Sequence, residues 1–369
     1  MHIPLVDLKA QHDYMKKELE ESLKRVIDNS SFIMGEEVKN FERDFAKYCD
    51  SPYCVGASNG STALYTVLKA MGLKQGDEVI MPVNTFVATA FSVTLLGGKP
   101  VFVDVNQDDY LINTKLIEKS ITSQTKVIIP VHLYGSACNM DEISKIAKKH
   151  NLLILEDCAQ AHGTKYKGNK VPVTQVGCFS FFPAKVLGCF GDAGGIVSRD
   201  EILTKTCAKI VNHGRVDKYV HDIEGFNFRL SSLQAAILSS KLKHLASWVE
   251  KRRTLAERYS LNLKGVVGLP YNSKDSESCF YMYVIRLKNR DNLQKYLKEK
   301  GIDTGIHYPV PLHLQPVFKN LGYQEGDFPI AEKQAKEILS IPMYPELTFE
   351  QQDYIIKEIK NFISSQNEY

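Results

Sequence analysis

Between residues 53 and 198 the chain repeats one pattern, and that pattern narrows the fold more than any other feature. Short, nearly continuous apolar runs at 53–57, 78–82, 100–105, 126–131, 152–156, 178–181 and 195–198 are separated, in many cases, by segments with helical periodicity at 62–71, 85–96, 113–120 and 141–150. Runs of this length without polar alternation suit strands buried on both faces. Strands alternating with helices predict parallel βαβ units, so the expected class is α/β, with a mostly parallel central sheet sandwiched by helices. Two helical patterns, 11–28 and 36–48, precede it.

Past residue 230 the pattern changes. A helix over 231–260, opened by the capping-box pair Ser231 and Gln234, is followed by a polar stretch at 271–278. A strand at 281–287, a helix at 292–300, an extended segment at 305–308 and helices at 329–339 and 349–363 predict a smaller α+β domain; Thr348 and Gln351 form a second capping-box pair. At roughly 150 residues per domain, 369 residues suggest two. The expected division is 1–240, the large domain with its N-terminal helices, and 241–369, the long helix and the small domain.

Composition removes several classes of function. A formal net charge of +3, with no block of Lys and Arg, leaves no nucleic-acid footprint. The one basic run, Lys251-Arg252-Arg253, lies in an amphipathic pattern and reads as a solvated helix face. No apolar stretch approaches the roughly 18 residues of a membrane span, and the first twenty residues contain no apolar segment of the signal-peptide kind. A soluble, cytoplasmic protein is expected. The eight cysteines are scattered without a C-x-x-C pair, which argues against a disulfide framework or a thiolate zinc site.

Three motifs carry chemistry. Gly56-Ala57-Ser58-Asn59-Gly60 matches G-x-S-x-G, the nucleophile elbow of a serine hydrolase, with Asp157 and a later histidine to complete a triad. Only helical patterns precede it, whereas a hydrolase sheet places strands and an oxyanion loop first. Read as a whole, the run from Ser58 to Thr62 is a small-residue turn entering a helix, which offers N–H groups, hydroxyls and the positive dipole end to a phosphate. A plain helix cap is the structural alternative. The second motif, Leu152-Leu153-Ile154-Leu155-Glu156-Asp157, ends a buried strand on a carboxylate, where open α/β sheets bind ligands. Its apolar approach means that a charged Asp157 needs a cation, such as a pyridinium nitrogen, unless it merely caps the next turn. Gln160 and His162 follow and can bond the same ligand or hold the loop. The third motif surrounds Lys185, in an aromatic, Pro- and Gly-punctuated run from Phe179 to Gly195 with few charges. Desolvation there favours the neutral amine that Schiff-base chemistry requires. Lysine, acid and phosphate cradle together suit pyridoxal 5'-phosphate. Phe86 is a candidate for the ring face, or ordinary core.

These residues resemble the DegT/StrS family of nucleotide-sugar aminotransferases. The resemblance covers 58–64, 82–88, 156–163, 179–195, 212–214, 227–236 and 307–316. It implies the fold-type I architecture of aspartate aminotransferase and a homodimer with shared active sites. By matching position, Lys185 would link to the cofactor aldehyde, Asp157 would pair with the pyridine nitrogen and Gln160 would bond the phenolic oxygen. Gly60, Ser61 and Ser180 would hold the phosphate, with Phe86 on the ring face and Asn227 reaching in from the partner subunit. His307 and Tyr308 would lie near the sugar. Ala184 and Val186 stand where family members often have Gly and Asn. The lysine separates the chain from the family's dehydratases, which have histidine there. The implied reaction takes the amino group of L-glutamate to a keto sugar on a nucleotide diphosphate. Two runs, Leu187-Gly188-Cys189-Phe190-Gly191-Asp192 and Tyr308-Pro309-Val310-Pro311-Leu312-His313, look more like members acting at C3 than at C4. A dTDP-3-keto-6-deoxyhexose is the expected substrate, and a UDP-3-keto uronic acid or a 4-keto sugar the alternative. A silent protein that keeps the fold has no need of Lys185 and Asp157.

Overall fold

The computed structural model describes residues 2–271 and 273–366. Its central sheet is built from β1 (Tyr53–Ala57), β2 (Glu78–Pro82), β3 (Lys99–Val103), β4 (Thr125–Ile128), β5 (Leu153–Ile154) and β6 (Glu156–Asp157), with two strands from further along the chain. A small hairpin, β7 (Lys165–Tyr166) and β8 (Asn169–Lys170), intervenes before β9 (Val176–Ser180) and β10 (Gly194–Ser198). The strand orders β3-β2-β4-β5 and β6-β9-β10-β1 join where β5 runs into β6. There Leu155 N–H donates to the Ile128 carbonyl at 3.1 Å, and Asp157 bridges Val131 in parallel. Neighbours from β3 to β9 are parallel, whereas β10 is antiparallel to both β9 and β1. The sheet is thus mostly parallel, as expected, with β10 as its antiparallel member. Its connection from β9 is a loop with no crossover helix, and such a connection returns the chain antiparallel.

Helices fall close to their expected places at Leu8–Asp28, Glu36–Tyr48, Gly60–Ala70, Val87–Thr94 and Met140–His150. Helix Glu201–Val211 and the β7–β8 hairpin have no counterpart among the expected elements. The expected single helix over 231–260 is two, Ser232–Leu242 and Leu245–Leu263. The break at Lys243–His244 lets both side chains reach Glu18, each at 3.1 Å. Ser231 caps the first of them through the Gln234 N–H, but the reciprocal half of the expected capping box is not made, because the Gln234 side chain pairs with the Phe190 N–H and carbonyl instead.

The C-terminal part holds β11 (Ser276–Glu277), β12 (Tyr283–Arg286) and β13 (Ile338–Ile341), with helices Arg290–Glu299, Pro329–Glu337 and Phe349–Gln366. Of the polar stretch at 271–278, Asn272 lies outside the described residues. The helix expected to reach 339 stops at Glu337, and the chain then pairs as β13 with β12. Thr348 and Gln351 cap the last helix reciprocally, each N–H donating to the other's side chain at 3.0 and 3.1 Å.

Two apolar clusters form the interior. The larger lies about the central sheet and draws residues from both sides of position 240, Tyr281 and Phe318 among them. The smaller joins Ile3 to Leu255, Tyr259, Tyr283, Ile341 and Phe362. Within the larger cluster, Phe179 and Phe181 meet Phe45 edge-on at 5.0 and 5.1 Å. Each such ring contributes roughly 1.5–3 kcal/mol by burial. Because side chains alternate along a strand, Ser180 between them faces the other way.

Of the eight cysteines, all are free, and Cys54 alone is not fully buried. Among the described residues no helix is long and apolar enough to cross a membrane.

Candidate active site

The C-terminal ends of β1, β2, β6 and β9 bring the motif residues to one edge of the sheet. Asp157 ends β6 and is only 4% exposed. Its carboxylate accepts from Thr89 Oγ1 at 2.9 Å and from Ala159 N–H at 3.1 Å. Burial raises its pKa; the two hydrogen bonds and the charge of Lys185 oppose that rise. Among the described residues no cation forms an ion pair with it. Gln160 follows on the same turn. Its Oε1 accepts from Tyr134 N–H at 2.7 Å, which turns Nε2 towards the Tyr308 hydroxyl at 3.3 Å.

β1 leads into helix Gly60–Ala70, capped by Asn59, whose side chain accepts from Thr62 N–H while Thr62 Oγ1 accepts from Asn59 N–H. The cap occupies Thr62 and leaves the N–H groups of Gly60 and Ser61 at the positive end of the helix. Space here is tight. A Cβ on Gly60 would lie 2.8 Å from Ser180 Cβ, and one on Gly194 would lie 2.3 Å from the Asn59 carbonyl. Both positions admit only glycine without movement, and the close approach brings Ser180 against the helix start.

Lys185 lies in the loop between β9 and β10, its N–H donating to the Phe182 carbonyl at 2.8 Å. It is half-buried, not enclosed as the apolar segment predicts, since Phe182 beside it is itself exposed. Lys185 Nζ stands 4.4 Å from the centre of the Tyr281 ring. Phe86, at the head of helix Val87–Thr94, is 53% exposed and therefore not core; its ring lies 5.8 Å from that of Tyr308. The peptide bond between His307 and Tyr308 is cis. His307 Nδ1 lies 2.9 Å from Ser340 Oγ, and the Tyr134 hydroxyl donates to the His307 carbonyl. Burial pushes His307 down to about 4 and raises the phenol of Tyr308, so both stay uncharged at neutral pH.

Three sequence candidates stand apart. Asn227 is exposed at the rim, its Oδ1 accepting from Arg229 Nε at 3.0 Å, while the next carbonyl, of Phe228, accepts from Ser58 N–H at 2.7 Å. Ser58 Oγ pairs with Thr62 Oγ1 at 3.1 Å and, among the described residues, with no imidazole, so the hydrolase triad is not assembled there. His162 is fully buried between Phe179 and Phe181, at 5.2 and 5.6 Å, and burial pushes it to about 3. It packs with the aromatic core. Thr89, Tyr134 and Tyr281 are site residues that sequence reasoning missed. Thr89 lies in the helical pattern at 85–96 and Tyr281 opens the strand at 281–287, both of which read as core, whereas Tyr134 lies between 131 and 141, where the sequence suggests no element.

The residues fit pyridoxal phosphate. A buried carboxylate without a cation is costly, and a protonated pyridine nitrogen is the partner it lacks. The tight helix start offers unclaimed N–H groups to a phosphate. Gly60→Ala is expected to weaken cofactor binding by roughly tenfold or more, about 1.4 kcal/mol. The methyl must also push the helix start away from Ser180, so the cofactor-free chain should lose some melting temperature despite the helix preference of Ala, and fluorescence titration of the folded variant reads the lost affinity.

Residues 13–360 match the DegT/DnrJ/EryC1/StrS aminotransferase family. A protein of Geobacillus stearothermophilus named pleiotropic regulatory protein is 46% identical over 98% of this chain and 99% of its own. The dTDP-3-amino-3,4,6-trideoxy-alpha-D-glucose transaminase of Streptomyces venezuelae is 38% identical over 98% of this chain and 96% of its own. The UDP-2-acetamido-2-deoxy-3-oxo-D-glucuronate aminotransferase of Pseudomonas aeruginosa is 40% identical over 94% and 96%. The crystal structure of S. venezuelae DesV in complex with a ketimine intermediate superposes with a TM-score of 0.97, at 38% identity and 98% coverage of both chains. The chain belongs to the DegT/DnrJ/EryC1/StrS aminotransferase family, and it is a pyridoxal phosphate-dependent sugar aminotransferase.

Proposed function

We propose that this aminotransferase moves the amino group of L-glutamate onto C3 of a dTDP-3-keto-6-deoxyhexose, giving the dTDP-3-amino-3,6-dideoxyhexose used in surface glycans. The enzyme works in the cytoplasm as a homodimer in which Asn227 of each subunit completes the phosphate site of the other. The observation that carries the reading is the buried, cation-free Asp157 at the same sheet edge as Lys185 and the glycine-tight helix start.

When bound, pyridoxal phosphate holds the amino group between the two half-reactions and accepts the electron pair released from the substrate carbon. Lys185 Nζ would take the proton from that carbon and deliver it to the cofactor carbon in the first half-reaction, and in the second would move a proton the opposite way, from the cofactor carbon to the sugar carbon. Asp157 keeps the ring nitrogen protonated, and Thr89 and Ala159 fix the carboxylate for that task. Gln160 offers Nε2 to the phenolic oxygen. Gly60, Ser61 and Ser180 bind the phosphate, and Phe86 covers one face of the ring. His307 and Tyr308, both uncharged, line the approach of the sugar.

The choice of C3 draws on the run from Leu187 to Asp192, on the run from Tyr308 to His313, and on similarity to transaminases whose names place the amino group or ketone at that carbon. The uronic acid remains the second reading, because the P. aeruginosa relative, which acts on a UDP-linked 3-oxo uronic acid, is as similar as the dTDP-sugar one. Purified enzyme offered dTDP- and UDP-linked 3-keto and 4-keto sugars with L-glutamate should turn over the dTDP-3-keto sugar fastest. Exclusive use of a 4-keto sugar would sink the assignment.

A further inference from the structure

Tyr281 has no role in the account so far, yet its ring face is the nearest partner of the Lys185 ammonium. Among the described residues, Lys185 Nζ makes no hydrogen bond or ion pair; it stands 4.4 Å from the Tyr281 ring centre, well inside the roughly 6 Å range of a cation–π contact. The ring is 8% exposed and its backbone is held firmly. Arg252, read from sequence as part of a solvated face, is buried and donates Nη1 to the carbonyls of Phe280, Tyr281 and Met343 at 3.2, 3.3 and 2.8 Å. Cys279 N–H donates to the Gly135 carbonyl at 3.2 Å, which ties the same segment to the loop that carries Tyr134.

Building on the role given to Lys185, we propose that Tyr281 is a positioning residue whose ring face seats the Lys185 ammonium while the lysine is detached from the cofactor. The lysine needs its proton held between two transfers, in a site where the other groups supply little for it. Asp157 acts on it from β6 but is spoken for by the ring nitrogen. His162 and His307 are neutral through burial, Tyr308 is un-ionised, and the Arg252 guanidinium is engaged by carbonyls. The π face stabilises an ammonium in a desolvated pocket without removing its proton, as a close carboxylate would tend to.

The test reads the lysine itself. Full-length protein freed of cofactor is mixed with pyridoxal phosphate, and the rate of covalent linkage is followed by visible absorption across the neutral-to-alkaline range. Linkage needs the neutral amine, so the rate rises with pH through a midpoint. Losing the face favours the neutral amine, and Tyr281→Leu should lower that midpoint by about one pH unit, speeding linkage at neutral pH by roughly tenfold. Tyr281→Phe keeps a face and should keep the wild-type midpoint. If the leucine variant does not fold, phenylalanines of increasing fluorination at 281 hold the shape while weakening the face, and the midpoint should fall in that order. A midpoint that is the same across the series, or shifted equally by Phe and Leu, would overturn the proposal. A wild type that links no cofactor at all would instead overturn the role of Lys185, and this inference with it.

Discussion

Lys185→Ala is expected to abolish transamination, with turnover lower by about 10⁴-fold or more, since both the covalent tether and the proton carrier are lost. Among the described residues the one fully buried lysine, Lys241, is already engaged, bound to Gln11 at 2.9 Å and lying against the Phe190 ring at 5.2 Å. Borohydride should reduce the cofactor onto the wild type and give a stable adduct at residue 185, and none on the variant. Small primary amines in solution should restore part of the turnover, because they supply the proton carrier without the tether. Near-wild-type activity in the variant would show that the lysine is not the one that matters.

Asp157→Asn should lower kcat/KM by roughly 10²–10³-fold, the scale measured when one preorganised electrostatic contact is removed from an active site. The amide still accepts from Ala159 N–H, and the Thr89 hydroxyl can turn to accept from it, so the fold is retained. Stability should move the other way in the cofactor-free protein. Burial raises the folded-state pKa of Asp157 above its unfolded value, so the folded chain holds that proton more tightly. Wild-type stability therefore declines as pH rises from the ordinary carboxylate range through the raised pKa of Asp157. The asparagine variant lacks this decline. Its cofactor-free melting temperature should match or exceed the wild type at alkaline pH, and the difference should shrink as pH falls below the carboxylate range. With cofactor the order reverses, because the pyridinium then offsets the charge.

Much of the central sheet is legible because buried parallel strands announce themselves as apolar runs, and Asp157, Gly60 and Lys185 stand at or just beyond the ends of such runs. What escaped has physical causes. The antiparallel direction of β10 depends on the loop that carries Lys185, and direction leaves no mark on an apolar run. The break at Lys243–His244 involves no Gly or Pro; contact with Glu18, more than two hundred residues away, accompanies it. Arg252 belongs to the core and not to a solvated face, and the spacing carries that signal. Leu245, Trp248, Val249, Arg252, Leu255, Ala256 and Tyr259 form one buried helical face, and the arginine sits in its middle. The charges of Lys251 and Arg253 on either side mask that period. Tyr281 and Thr89 look like core from sequence because they are core, with one atom or one face turned to the site. Lys185 is less enclosed than its aromatic surroundings suggest, since Phe182 faces outward.

The visible absorption spectrum of the purified protein with pyridoxal phosphate, recorded before and after L-glutamate and again for Lys185→Ala, tests the account most directly. It predicts a yellow band in the wild type that bleaches as glutamate delivers its amino group, and no lysine-linked band in the variant. A wild type that stays colourless with cofactor present would contradict the assignment of Lys185, Asp157 and the Gly60 helix start as a single cofactor site.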